Sequence, residues 1–233
     1  MIHREKKMKV RTIIVAFEGI DGSGKSVQFR KLKEKMEQRN KRVGILDFPD
    51  YDSFFGKEIG RLLSGKESIT ASDLDPRSMS LWYAVDRWKA FQTFDAAQYD
   101  IVLMNRSTMA NAAYQGTRCG DPAALATWIY DLEFHVFGIP EPDLFFIFDI
   151  PVSLSRKNVA KKGFRGYVGE EADVYEKDIL FLENVRKGYL TCADIFPNSI
   201  LLDCSDSEER MRPPEEISAD VFKILCEKFP ELF

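Results

Sequence analysis

Eight residues near the start of the chain limit its fold more than any bulk property does: Gly19-Ile20-Asp21-Gly22-Ser23-Gly24-Lys25-Ser26. They match G-x-x-x-x-G-K-[ST] at every fixed position. Residues 12–17 (TIIVAF) just before them form a short β-branched apolar run, which predicts a strand buried on both faces. In residues 26–38 just after them, Phe29, Leu32 and Met36 recur at helical spacing. A Gly-rich turn between a buried strand and a helix is a phosphate cradle. Glycines let backbone N–H groups close around anionic oxygens, and the helix N-terminus adds partial positive charge. Gly19, Asp21, Gly22, Ser23, Gly24, Lys25 and Ser26 are therefore the candidate nucleotide-binding residues. Lys25 is expected to bridge the β- and γ-phosphates, and the Ser26 hydroxyl to bind Mg²⁺. The plainer alternative is a Gly-rich turn with no ligand.

The rest of the chain repeats the strand–helix alternation. Strands are predicted over residues 43–48, 101–104, 144–150 (LFFIFDI) and 200–202. Helices are predicted over 76–98, with Asp75 as cap and Pro76 in the first turn, and over 122–138, capped by Asp121. Another opens at Pro151, and an amphipathic helix over 215–229 ends the chain. Residues 50–72 read as loop and short helix. The fold class is thus α/β: a five-stranded parallel sheet with helices on both faces, in three layers. No repeat, low-complexity tract or linker divides it, so residues 1–233 are expected to form one domain, with 1–10 as a basic tail.

Composition narrows the function. The 233 residues are 45% hydrophobic and 30% charged, with a net charge of −4, so a dedicated binder of a nucleic-acid polymer is disfavoured. No apolar run approaches the ~18 residues of a membrane span, and the basic start is not followed by a signal-peptide core. Four scattered cysteines without a Cys-x-x-Cys pair suit a reduced, cytoplasmic protein, and two distant histidines do not make a zinc site. A GTPase would carry Asn-Lys-x-Asp after a later strand, and none is present. A motor ATPase normally needs a larger chain. These observations leave a small-molecule kinase.

Four segments in order refine that reading. They are Phe17 through Ser26 with Gln28; Phe48-Pro49; Tyr83-Ala84-Val85-Asp86-Arg87-Trp88; and Asn105-Arg106-Ser107 running to Ala113-Tyr114-Gln115-Gly116. A fainter echo lies between Asp173 and Tyr189. Together they resemble the thymidylate kinase family, P-loop enzymes that pass the γ-phosphoryl group of ATP to dTMP. The resemblance implies ATP and Mg²⁺ as cofactors, dTMP as the partner, and a homodimer. It implies that Asp21 accepts a hydrogen bond from the deoxyribose 3′-hydroxyl and that Tyr83 stacks on thymine. Arg87 would donate to the thymine 4-oxygen, Gln115 would bond the base edge, and Phe48 and Tyr114 would line the pocket. It makes Arg106 the holder of the acceptor phosphate, a task suited to the planar guanidinium fork. From the residues alone, Tyr83 and Arg87 share a helix face, and a core tyrosine with a solvated arginine is the preferred reading.

Some members of the family carry a transition-state arginine in the phosphate loop and others in a mobile lid. Gly22 stands at the loop position, so residues 161–171 are expected to be the lid, with Arg165 first and Lys162 or Arg156 as alternatives. The same run also fits a solvated basic loop. The chain departs from the family pattern where relatives read Asp-Arg-Tyr and it reads Asn105-Arg106-Ser107, at Val174 before Glu176, and at Asp50-Tyr51. These departures keep open a kinase of another nucleotide or deoxynucleoside, or a nucleotide-binding homologue without catalysis.

Overall fold

The computed structural model describes residues 11–66, 68–160, 175, 178–207 and 210–233. The five strands are β1 (Ile13–Glu18), β2 (Val43–Asp47), β3 (Ile101–Asn105), β4 (Leu144–Asp149) and β5 (Ser199–Asp203). They form one sheet in the order β2-β3-β1-β4-β5, and every pairing is parallel. All six residues of β1 are buried, which requires cover on both faces. Helices α1 (Lys25–Glu37) and α8 (Pro214–Lys228) pack together; α3 (Pro76–Phe91), α4 (Thr108–Gly116), α5 (Pro122–Tyr130) and α7 (Ile179–Ile195) form a second group. α2 (Phe54–Ser64) packs on α3, and α6 (Val152–Ala160) on α7. The core is rich in aromatic rings from the central strands: Phe17 stacks on Phe148 with centroids 5.5 Å apart.

The expected fold class and all five strands are present. The helix ends differ. The expected helix over 76–98 stops at Phe91, and a 3₁₀ turn, Ala96–Gln98, follows with Asp95 accepting from the Ala97 N–H. A short Asx-type bond competes with helix continuation there. The expected helix over 122–138 is α-helical only to Tyr130 and then widens into a π turn, Asp131–Val136, that buries Glu133 and Phe134. The helix α4 has no counterpart in the sequence-based expectations. All nine of its residues are buried, so no polar face gives it a helical period. The caps predicted at Asp75 and Asp121 are present, each carboxylate accepting backbone N–H bonds of its helix.

Candidate active site

The phosphate loop leaves β1 at Glu18 and enters α1 at Lys25. Gly19, Gly22 and Gly24 all have positive φ, at 129°, 75° and 94°. A Cβ at Gly19 would lie 2.6 Å from the Phe148 carbonyl oxygen, and one at Gly22 2.4 Å from that of Ser155. Both positions therefore require glycine for space as well as for dihedral angle. Helix α6 braces the loop from behind: Ser155 Oγ donates to the Asp21 carbonyl at 2.6 Å, and Asn158 Nδ2 to the Gly22 carbonyl at 2.9 Å. Lys25 is buried, and its Nζ donates to the carbonyls of Gly19 and Ile20, each at 2.8 Å. Ser26 is exposed at the start of α1.

Arg106 follows the last residue of β3, the strand beside β1. Its φ of 63° is left-handed, an uncommon state for a non-glycine residue, and its amide donates to the Phe17 carbonyl at 3.0 Å. The guanidinium donates through Nη2 to Asp21 Oδ1 at 2.8 Å and through Nη1 to the Tyr189 hydroxyl at 3.5 Å. It also lies 5.3 Å from the Tyr114 ring centroid, whose hydroxyl donates to Asp21 Oδ2 at 3.4 Å. Burial is the largest single influence and disfavours its charge, yet Asp21, Tyr114 and Tyr189 together outweigh it and hold its pKa well above the ordinary arginine value. Arg106, Asp21 and Tyr114, three residues singled out from sequence, thus form one cluster against the loop.

Arg87 lies deeper. It is buried, with Nε donating to Glu133 Oε2 at 2.6 Å and Nη2 to Oε1 of the same carboxylate. Glu133 also accepts from Thr108 Oγ1 at 2.7 Å and Asn111 Nδ2 at 3.0 Å, so its acceptor sites are filled. Asn111 Nδ2 is shared with the Ser80 carbonyl, while Asn111 Oδ1 is buried and takes no hydrogen bond. The Phe48 ring is buried below Arg87, its centroid 5.9 Å from Cζ, and the Phe48–Pro49 peptide is cis. Tyr83 is half-buried one turn before Arg87. The loop after β2 is tied to α3 by Asp86, which accepts from the Asp50 amide at 2.9 Å and Ser53 Oγ at 2.7 Å.

Gln115 is placed differently from the rest. Its Nε2 donates to the Tyr175 hydroxyl at 3.4 Å and its Oε1 accepts from Arg118 Nη1 at 2.6 Å, so both ends of the amide have partners other than Arg87. Ser107 is fully buried: it caps α4 and donates to Glu18 Oε1, leaving Glu18 Oε2 buried without a partner. Burial pushes the Glu18 carboxyl above the usual range, against the opposing pull of Ser107, Arg106 and Lys25. Glu133, Asn111, Ser155 and Asn158 were not singled out from sequence. Each acts through partners far along the chain, which no local spacing announces. Arg165, Lys162, Val174, Glu176, the lid 161–171 and the tail 1–10 lie outside the described residues. Arg156 is exposed on α6.

A family model described as Thymidylate kinase matches residues 17–212. The chain belongs to the thymidylate kinase family. It is 30% identical over 171 residues to the thymidylate kinase of Mycobacterium tuberculosis, covering 71% of this chain and 78% of the relative. It is also 30% identical over 214 residues to a probable thymidylate kinase of Methanosphaera stadtmanae, covering 91% and 98%. The fold is similar to that of thymidylate kinase from Candida albicans, with a TM-score of 0.71 at 21% identity over 92% of this chain and 91% of that one. It also resembles the Ehrlichia chaffeensis enzyme, at 0.65 and 22% over 92% and 99%. As a member of the thymidylate kinase family the chain is an ATP-dependent nucleoside monophosphate kinase.

Family membership implies Mg²⁺ beside the triphosphate. The donors fit that ion: the Ser26 hydroxyl and the Asp21 carboxylate of the same loop offer hard oxygens. Mg²⁺ takes most of its ligands from phosphate and water, so a sparse protein shell suits it. No helix among the described residues is long and apolar enough to cross a membrane.

Proposed function

We propose that the protein passes the γ-phosphoryl group of ATP to dTMP, giving dTDP, and that the cluster of Arg106, Asp21 and Tyr114 against the phosphate loop carries this reading. The loop amides between Gly19 and Ser26, with the N-terminus of α1, hold the triphosphate. Lys25 exchanges its carbonyl partners for the β- and γ-phosphates, and the Ser26 hydroxyl would hold Mg²⁺, which would supply neutralisation of the charge on the transferred group. Arg106 holds the acceptor phosphate beside the donor, and Asp21 accepts from the deoxyribose 3′-hydroxyl. An acceptor phosphate is largely ionised at neutral pH, so the site needs positioning and charge neutralisation rather than a strong base. Residues 161–171 supply a further cation, Arg165 first.

The buried network supports a thymine partner. Arg87 and Asn111 share the Glu133 carboxylate, so their tips are neighbours. Arg87 has only donors, and Asn111 Oδ1 is an acceptor without a partner. Thymine offers an acceptor at O4 beside a donor at N3–H; cytosine offers the reverse. Asn111 therefore reads the base edge, in place of Gln115, with Phe48 and Tyr83 against the ring. The test is a panel of monophosphate acceptors with ATP: transfer to dTMP, reduced transfer to dUMP and little to dCMP is expected. ATP binding without transfer to dTMP would overturn the proposal.

A homodimer through α3 is part of the same reading. Leu81 and Trp88, seven residues apart on one face, are both exposed. Sedimentation equilibrium giving a monomer at micromolar concentration would exclude it.

A further inference from the structure

In phosphate-loop enzymes the cation beside the triphosphate is held by the loop Ser or Thr and by an acid at the end of a nearby strand. In this chain β3 runs beside β1, but its last residue is Asn105, which carries no charge. The residue in register with Asn105 on the next strand is Asp47, the last of β2. Asn105 Nδ2 donates to Asp47 Oδ1 at 2.8 Å, which leaves Asn105 Oδ1 buried and without a hydrogen bond. The amide is thus oriented by the carboxylate. Asp47 is exposed, and the cations that act on it are Arg106 and Lys25, the two basic residues of the phosphate site.

Among the described residues, four other acids close to the loop and the strand ends are engaged. Asp21 is paired with Arg106 and Glu18 is inside the core beneath Ser107. Asp149, at the end of β4, is clasped by Arg186 through both oxygens, and Asp86 holds the loop after β2. We propose that Asp47 is the metal-positioning residue of this enzyme: it accepts hydrogen bonds from water in the Mg²⁺ shell of bound ATP, and Asn105 fixes it in place. A carboxylate has crossed from the end of β3 to the end of β2. Acids at both positions would stand within hydrogen-bond distance of each other and would not both stay ionised. One charge shared between the two strand ends is the rule the geometry sets.

This inference rests on the reading that Mg·ATP binds the phosphate loop, and its test separates the two. Mn²⁺ replaces Mg²⁺ as a probe, and the full chain is titrated with Mn²⁺ by electron paramagnetic resonance in the presence of a non-hydrolysable ATP analogue. Asp47→Asn is expected to weaken Mn²⁺ affinity of the enzyme–nucleotide complex by about tenfold, the range found when outer-shell partners of a metal are removed. Metal-free binding of a fluorescent ATP analogue in EDTA should be unchanged. The double variant Asp47→Asn/Asn105→Asp should recover most of the lost affinity. Unchanged Mn²⁺ affinity in Asp47→Asn, or a double variant as weak as the single one, overturns the proposal. Asp47→Ser serves as a second replacement should Asp47→Asn melt early. Wild-type protein that takes up no nucleotide would instead refute the loop reading beneath it.

Discussion

Arg106 Nη2 donates to Asp21 Oδ1 at 2.8 Å, so the residue after β3 is bonded directly to the phosphate loop. In the proposed mechanism this pair stands beside both the acceptor and the donor phosphate. Arg106→Ala should lower kcat by about 10²- to 10³-fold, the usual loss when a donor aimed at developing charge is removed. Arg106→Lys should recover little, because an ammonium cannot serve Asp21 and a phosphate as a planar fork does. Steady-state rates within a few-fold of wild type for the lysine variant would defeat this assignment.

Lys25→Ala should also cost about 10²- to 10³-fold in turnover. The Lys25 ammonium bonds backbone carbonyls of its own loop, so the core does not depend on it. Near-ultraviolet circular dichroism should match wild type. Equal turnover in the two proteins would remove Lys25 from the reaction.

The Arg87–Glu133 pair predicts a stability pattern. Glu133→Leu leaves a buried arginine without its counter-charge and should cost about 3–5 kcal/mol in urea unfolding. Arg87→Met with Glu133→Leu should be less damaging than Glu133→Leu alone, since no charge is stranded. Additive losses in that cycle would mean that the two groups do not act as a unit.

Glu18 predicts a pH effect. Burial holds its folded pKa above the ordinary value of 4.5, opposed by the Ser107 hydrogen bond. Between those two values the unfolded chain has released a proton that the folded chain keeps, so stability falls as pH rises through the window. Below the ordinary value both states are protonated and no loss remains. Glu18→Gln lacks this titration. In urea titrations the stability of wild type relative to the variant should therefore decline as pH rises above the ordinary carboxyl value and level off once the folded carboxyl has also lost its proton. A difference independent of pH would show that Glu18 is not shifted.

The sheet and the phosphate loop were legible because their signals are local: apolar runs, glycines at fixed spacing, and Asp–Pro helix starts. The proposed base pocket was legible only in part. Arg87 could be named from sequence, but its partner Glu133 is 46 residues away and reaches it from a π turn that no periodicity marks. Asn111 was hidden for the same reason as its helix: every neighbour is buried, so nothing in the sequence sets this polar side chain apart. Gln115, one turn later on the same helix, has the same chemistry but different partners. Only three-dimensional placement separates the two amides. Ser107, one of the departures from the family pattern, closes a hydrogen bond with Glu18.

Gly22 carries a lasting consequence for how this enzyme can evolve. Its φ of 75° and the Ser155 carbonyl 2.4 Å from any added Cβ close the position to every side chain, an arginine included. An arginine at this position does not fit the present backbone. The first carbon of the newcomer would strike helix α6, and the backbone would have to be redrawn before the new cation could act. A Gly22→Arg variant that kept wild-type melting and nucleotide uptake would show that the route is open after all.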